Sequence, residues 1–169
     1  MPVREAQLSD AEGIAEVHVA SWRAVYSGLL SDQLLQSLSV ERRTQGWRAI
    51  LAQGDSLVFV YEAEGRIAGF ASCGRSRDEQ AGSGQTGELF SIYLAPDLWG
   101  KGCGTALLHT ALDALRAQGY AVVTLWVLDT NRRAILFYER AGFQSDGTSK
   151  IETGPGDTPL HEIRYRRTL

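Results

Sequence analysis

The segment ELFSIYLAPDLWGKGCGT, residues 88–105, decides the fold. Its first half, Glu88 to Ala95, is rich in apolar and aromatic side chains and reads as a strand, and Pro96-Asp97 ends that run. The glycine-rich turn from Trp99 to Thr105 then feeds a helix predicted from about Gly102 to Gln118, closed by Gly119. A turn of this kind between strand and helix aims backbone N–H groups outward at the positive end of the helix, which makes an anion site. Gly100, Gly102 and Gly104 lack the Cβ atoms that would hold a phosphate off those amides, and Lys101 adds a mobile positive charge. Taken alone, the cluster is equally an ordinary tight connection. It is not a P-loop, because Ala95 stands where the first glycine belongs and Gly102 where the hydroxyl residue belongs. Nor is it a dinucleotide turn, because Thr105 occupies the sixth position, where glycine or alanine is required.

Working outward, Pro2 to Gln7 forms a short first strand, and a helix begins after Ser9 or Asp10, either of which offers an N-cap. Ile14, Val17, Ala20 and Ala24 recur at helical spacing, Trp22 and Tyr26 lie four apart on a neighbouring face, and Ser27-Gly28 ends the helix. A second helical stretch, interrupted near Ser39, runs to Gly54. Ser56 to Glu62 and Arg66 to Gly74 pair as a hairpin through Ala63-Glu64-Gly65. The polar stretch Arg75 to Gly87 is a loop between strands. Downstream lie a strand at Tyr120 to Leu128, a short helix at Asn131 to Ala141, a sheet segment from Gly142-Phe143, and a last strand near Glu162 to Arg166. The order β-α-α-β-β-β-α-β-α-β-β predicts an α/β (α+β) chain, a mixed sheet flanked by helices, with residues 1–169 forming a single domain.

The 169 residues suffice for a core without disulfide staples, so Cys73 and Cys103 read as reduced thiols. A net charge of -3, with only Arg164, Arg166 and Arg167 clustered, argues against nucleic-acid binding. No signal-peptide pattern and no apolar run of membrane-spanning length is seen, so the expected location is cytoplasmic.

With its neighbours, the glycine turn resembles the GNAT superfamily of acyl-coenzyme A-dependent N-acyltransferases, whose phosphate motif runs Gln/Arg-x-x-Gly-x-Gly/Ala. Here it reads Trp99-Gly100-Lys101-Gly102-Cys103-Gly104. Ile92 to Pro96 resembles the family's central strand, while Leu125-Trp126-Val127, Asn131, Ala134, Phe137-Tyr138-Glu139 and Gly142-Phe143 resemble its next strand and helix. The resemblance covers Glu88 to Phe143. It implies the GNAT fold, a central mixed and mostly antiparallel twisted sheet of about seven strands, and an N-acetyltransferase that moves acetyl from acetyl-CoA to a primary amine of a small molecule, peptide or protein in a ternary complex, without a metal. The alternative is a non-catalytic acyl-CoA sensor. Homodimerisation is the family's habit.

The resemblance also assigns residues. Splayed central strands would expose the backbone of Ile92, Tyr93 and Leu94 to the pantetheine arm, with an amide near Leu94 polarising the thioester carbonyl. The pyrophosphate would rest on Trp99 to Thr105, that is Trp99, Gly100, Lys101, Gly102, Cys103, Gly104 and Thr105. Trp99 departs from the family's Gln or Arg, so Lys101, Arg132 or Arg133 would supply the missing polar contact. Tyr138 matches the tyrosine that protonates the departing thiolate, and Asn131 the residue that holds the arm. A packing tyrosine and an N-cap asparagine are the plainer readings of these two. Glu88 matches the glutamate that a subset of relatives uses as general base, expected partly buried beside the acceptor. Trp126 fills the position where other relatives place theirs.

The first two helices would wall the acceptor, making Trp22, Tyr26 and Trp47 candidate contacts, though such aromatics are commonly core. Asp78 and Glu79 would attract a cationic amine or simply be solvated. Among the histidines, His109 points away from the chemistry in relatives, and His18, beside Trp22 and Tyr26, is the strongest alternative base. Cys103, at a helix N-terminus, has the setting of a reactive thiol, but relatives carry an apolar residue there and packing is its expected role.

Overall fold

A computed structural model describes residues 2–78 and 84–169. The chain runs β1 (Val3–Glu5), α1 (Ala11–Val25), α2 (Asp32–Gln36), α3 (Val40–Gln53), β2 (Leu57–Ala63), β3 (Arg66–Arg75), β4 (Thr86–Leu94), α4 (Cys103–Ala117), β5 (Val122–Leu128), α5 (Arg132–Arg140), β6 (Gln144–Thr153) and β7 (Pro159–Thr168), with 3₁₀ turns before α1 and α4 and between β6 and β7. The strands form one seven-stranded sheet in the order β1-β2-β3-β4-β5-β7-β6. Every neighbouring pair is antiparallel except β4 and β5. The expected mixed, mostly antiparallel sheet flanked by helices is therefore what the chain builds.

Helices cover both faces, which is why β2 and β3 read as nearly unbroken apolar runs. On one face α4 presents Leu107, Leu108, Ala111, Leu112 and Leu115, a helical stripe packed on Phe59, Ala71, Leu89, Val123 and Leu125. On the other, Ile14 and Val17 of α1 and Trp47 of α3 pack on Val58, Val60 and Phe70. No described helix is long and apolar enough to cross a membrane.

Two local expectations shift. Asp10 does not cap α1; its carboxylate accepts from the Gln7 N–H at 2.7 Å and pairs with Arg4 at 2.8 Å, tying β1 to the start of the helix. The hairpin link shortens to Glu64-Gly65, because β2 continues to Ala63. Ser39 does interrupt the second helical stretch, its hydroxyl accepting from the Arg42 N–H as the N-cap of α3.

The β4–β5 pairing sets the functional geometry. It holds only at Thr86↔Val122, Gly87↔Val123 and Glu88↔Thr124, after which the strands part. Just past that point Ser72 pairs Ser91 while Cys73 pairs Leu89, leaving Phe90 as an extra residue in β4. Such a bulge bends its strand. The buried Ser21 of α1 donates to the Leu94 carbonyl at 3.0 Å and fixes the far end of β4.

Gly69, opposite Leu94, marks how closely β3 and β4 are covered. A Cβ there would strike Leu94 Cδ2 and come within 3.1 Å of Leu107 Cδ1 and the Tyr93 carbonyl. Gly69→Ala is expected to destabilise the fold by roughly 1–3 kcal/mol, the usual cost of overpacking. Gly46→Ala, in α3 with nothing within 4 Å, is expected to stabilise it by about 0.5–1 kcal/mol. Urea midpoints of the two variants and the parent check both signs.

Candidate active site

Where β4 and β5 part, a cavity of about 580 Å³ opens between them, roofed by α4 and α5. The Ala95 N–H donates to the Ala68 carbonyl at 2.8 Å, and antiparallel alternation then turns the N–H and C=O of Leu94 and Ile92 away from β3, into the cleft. The Leu94 carbonyl is occupied by Ser21 and by the Trp99 indole N–H at 3.1 Å. Its N–H and both backbone groups of Ile92 face a gap where β5 no longer pairs with them. These are the backbone groups a pantetheine arm requires.

The glycine turn closes one end of this cavity. Gly100 and Gly102 take φ values of 75° and 81°, a region that side-chain-bearing residues rarely enter, with open space where their Cβ atoms would be. Gly104 serves differently: a Cβ there would meet Leu94 at 3.2 Å and the Phe137 ring at 3.5 Å, so it lets α4 approach β4 and α5. Among the described residues, the N–H groups of Gly102, Cys103, Gly104 and Thr105 donate to no backbone acceptor, while the Lys101 N–H closes a turn onto Leu98. Four free amides at a helix start form a phosphate cradle.

Trp99 serves as a prop. Its indole N–H holds the end of β4, and the Arg133 guanidinium lies 3.1 Å from its ring centroid. Of the cations expected to replace the missing Gln or Arg, Arg133 is the one on the cavity wall; Lys101 and Arg132 are not, and neither is the buried Cys103. Asn131 caps α5, accepting from the Ala134 N–H at 3.2 Å, and also lines the cavity. Tyr138 packs between Phe137 and Phe143, and burial raises its phenol well above the ordinary tyrosine value. It stays protonated at any working pH. His109, expected to face away, also lines the wall, one helical turn after Thr105.

A second cavity, about 850 Å³, lies between α1, α3 and the sheet. Trp22, Tyr26 and Trp47 all stand on its wall, with Tyr26 reaching both cavities. The two spaces meet at Tyr26, Phe90, Ser91, Tyr93 and Glu162. Glu162 of β7 is the carboxylate at that junction; burial raises its pKa, Lys150 at 3.7 Å opposes the shift, and Glu152 adds to it.

Glu88, expected partly buried beside the acceptor, is fully buried and lines neither cavity. Its side chain is 2% exposed, with both oxygens taken by Arg77: the backbone N–H at 3.1 Å and the guanidinium at 2.8 Å. Asp78 likewise is no free lure for an amine, because it accepts from the Trp126 indole N–H at 3.0 Å and faces Arg164 at 3.6 Å. Glu79 lies outside the described residues.

His18 loses its claim as a base. Its Nδ1 accepts from the Trp47 indole at 3.2 Å, the ring stacks on Tyr93, and burial with the nearby Arg43 charge pushes its pKa down to about 3. Sequence reasoning missed Glu162 and Arg43, since neither sits in a motif and each reaches the cavity only through long-range packing of β7 and α3.

Four free amides at a helix start, continuous with an open strand edge, give an anion-binding turn joined to a template for an extended ligand. Residues 20–143 match the family described as Acetyltransferase (GNAT) family, and the chain belongs to it. It is 38% identical over 138 residues to the uncharacterized N-acetyltransferase YuaI of Bacillus subtilis, covering 81% of this chain and 76% of that protein. Among solved structures, it resembles the Salmonella typhimurium protein yncA with its cofactor acetyl-CoA, at TM-score 0.71 and 25% identity over 99% of this chain and 92% of that one. The PaiA N-acetyltransferase of Thermoplasma acidophilum in complex with coenzyme A shares the fold at TM-score 0.72 and 22% identity, over 99% and 98% of the two chains. The chain is thus an acyltransferase of the GNAT family.

Two outcomes test the site. Arg133→Met should weaken coenzyme A binding about tenfold by calorimetry, as for one lost charge-assisted contact, whereas Arg132→Met should change it little. His18 titrates near 6.5 in the unfolded chain and near 3 when folded, so its neutral form favours the fold above 6.5 and that advantage is lost as pH falls toward 3. The thermal midpoint should fall across that window, and less steeply in His18→Gln.

Proposed function

We propose that the enzyme transfers acetyl from acetyl-CoA to a primary amine by direct attack in a ternary complex. The observation that carries this reading is the meeting of two cavities at one carboxylate, one with the phosphate cradle and the open edge of β4, the other aromatic. The donor's pyrophosphate rests on the free amides of residues 102–105 beside Arg133, and its pantetheine arm pairs with Ile92 and Leu94 as an added strand. The thioester then lies at the junction, where the Leu94 N–H polarises its carbonyl.

The amine enters from the aromatic side, gives a proton to Glu162 and attacks the carbonyl carbon. As the tetrahedral intermediate collapses, the C–S bond breaks and the leaving sulfur takes the proton of Tyr138, which lines the same cavity. The proton on Glu162 returns to solvent and Tyr138 is recharged. Glu162 is preferred over Glu88 for the first step because it stands on both walls, whereas Glu88 is engaged by Arg77. Glu88 instead holds the end of β3 against the first pairs of β4 and β5.

Thiol release from acetyl-CoA over a panel of amines measures the reaction. Tyr138→Phe should lower kcat by roughly 10²-fold and Glu162→Gln by about 10²–10⁴-fold, the usual range for a lost general acid or base, with coenzyme A binding unchanged in both. The raised Glu162 pKa places the acid limb of kcat/KM above the ordinary carboxylate range, and Glu162→Gln should remove that limb. A loss in Glu88→Gln equal to that in Glu162→Gln, with the limb kept in the latter, would return the base to Glu88.

A further inference from the structure

We infer that the acceptor bears a carboxylate as well as its amine, and that Arg43 and the Nε2–H of His18 hold that carboxylate on the α1–α3 wall of the aromatic cavity. The inference rests on the reading above only for the place of the amine, at Glu162.

Arg43 is half-buried on that wall, with its guanidinium 5.0 Å from the centroid of the Trp22 ring. Arg4, Arg66, Arg77, Arg116 and Arg164 each pair with a carboxylate, but among the described residues Arg43 has no anion and no hydrogen-bond acceptor. A guanidinium drawn into aromatic surroundings without an anion is left uncompensated by the fold. A ligand carboxylate, matched to its planar fork, supplies the missing partner.

His18 adds a second donor. Because Nδ1 accepts from Trp47 and the ring is neutral, its proton is on Nε2. That nitrogen has no partner among the described residues and is not wholly buried, and His18 lines the cavity. The other polar ends of the aromatic wall are spent on one another, the Trp22 indole donating to the Tyr93 hydroxyl at 3.1 Å and the Trp47 indole to His18. Arg43 and His18 are close enough for the arginine's charge to act on the imidazole.

The remaining charges do not compete. Arg77 is paired with Glu88 and stacked over Phe90, and Arg75, Asp55 and Glu152 are exposed at the cavity's rim. Tyr26 and Tyr93 line this cavity together with both Glu162 and Arg43, so the two charges share one aromatic enclosure. A cavity with a carboxylate at the reaction junction and a guanidinium on its α3 wall is dipolar. It suits an amino acid or a short amino-acid-like amine with an apolar body, and it disfavours a polyamine, whose second cation would face Arg43.

The test uses amino acids and ω-amino acids of increasing chain length, each paired with its carboxamide, and follows thiol release from acetyl-CoA. The best carboxylate is expected to exceed its carboxamide at least tenfold in kcat/KM, mainly through KM. Arg43→Met should bring the two within about twofold by slowing the carboxylate alone, and Arg75→Met should leave the ratio intact. Equal turnover of acid and amide by the parent enzyme, an equal loss on both in Arg43→Met, or a collapse of the ratio in Arg75→Met instead would each overturn the inference. If no amine of either kind is acetylated, the transfer reading fails for free amines, and the inference stands or falls on calorimetry with the N-acetylated products in the presence of coenzyme A. Binding of the acid that is lost in Arg43→Met upholds it; no preference for the acid over the amide sinks it.

Discussion

Everything functional in this protein depends on β4 and β5 being bonded at one end and apart at the other. Three residue pairs hold the strands together, ending at Glu88↔Thr124, and beyond them the edge of β4 has no strand partner. Unpaired backbone groups inside a fold are costly, so a split of this kind persists only where the surroundings enforce it. Here the bulge at Phe90 bends β4, Ser21 and Trp99 grip the Leu94 carbonyl at its far end, and β5 is held from its other side by β7 along its whole length. The buried Glu88 sits at the last joined pair and, by engaging the exposed Arg77, fixes the start of the β3–β4 loop against it. A strand edge kept open in this way is a template for an extended ligand, and the pantetheine arm is such a ligand.

The same constraint divides labour within the glycine turn. Gly100 and Gly102 supply backbone conformations, Gly104 supplies proximity, and only the amides of residues 102–105 are left for an anion. Trp99, which departs from the expected Gln or Arg, exchanges a direct polar contact for two indirect ones: its N–H secures the strand that carries Leu94, and its face seats Arg133. The positive charge on this cavity's wall thus comes from Arg133 in the first turn of α5, so the cap at Asn131 also bears on the cavity.

Local features were legible in the sequence and long-range ones were not. Turn glycines, the Ser39 cap and the period of the apolar residues placed nearly every element within a few residues, because those signals act over a handful of positions. The strand order was hidden, since β7 inserts between β5 and β6 through pairings that local pattern does not encode. The site divided along the same line. Gly102, Asn131 and Tyr138 lie in contiguous motifs and reach the donor cavity, whereas Glu162 arrives on the inserted strand and Arg43 on a helix that contacts the sheet from the opposite face. For Glu88 the position on the strand was legible, but its engagement by the arginine eleven residues earlier, which leaves it off the walls of both cavities, was not.

The two faces of the sheet also differ in how they treat polar groups. On the donor side, amides of the turn and the Tyr138 hydroxyl are left without protein partners, awaiting a ligand that brings its own acceptors. On the acceptor side, the aromatic wall is wired internally, Trp47 to His18 and Trp22 to Tyr93, with His18 stacked on Tyr93 between them. A wall held by such bonds is rigid, because no ring can turn without stranding a buried donor. Rigidity there suits the requirement of direct transfer, in which the amine must meet the carbonyl carbon within a narrow angle and distance and the enzyme contributes mainly by holding the partners in place. In the proposed reaction the flexible component is the donor, threaded along an edge, so that the fixed aromatic wall would set the acceptor's position and the strand edge would bring the thioester to it.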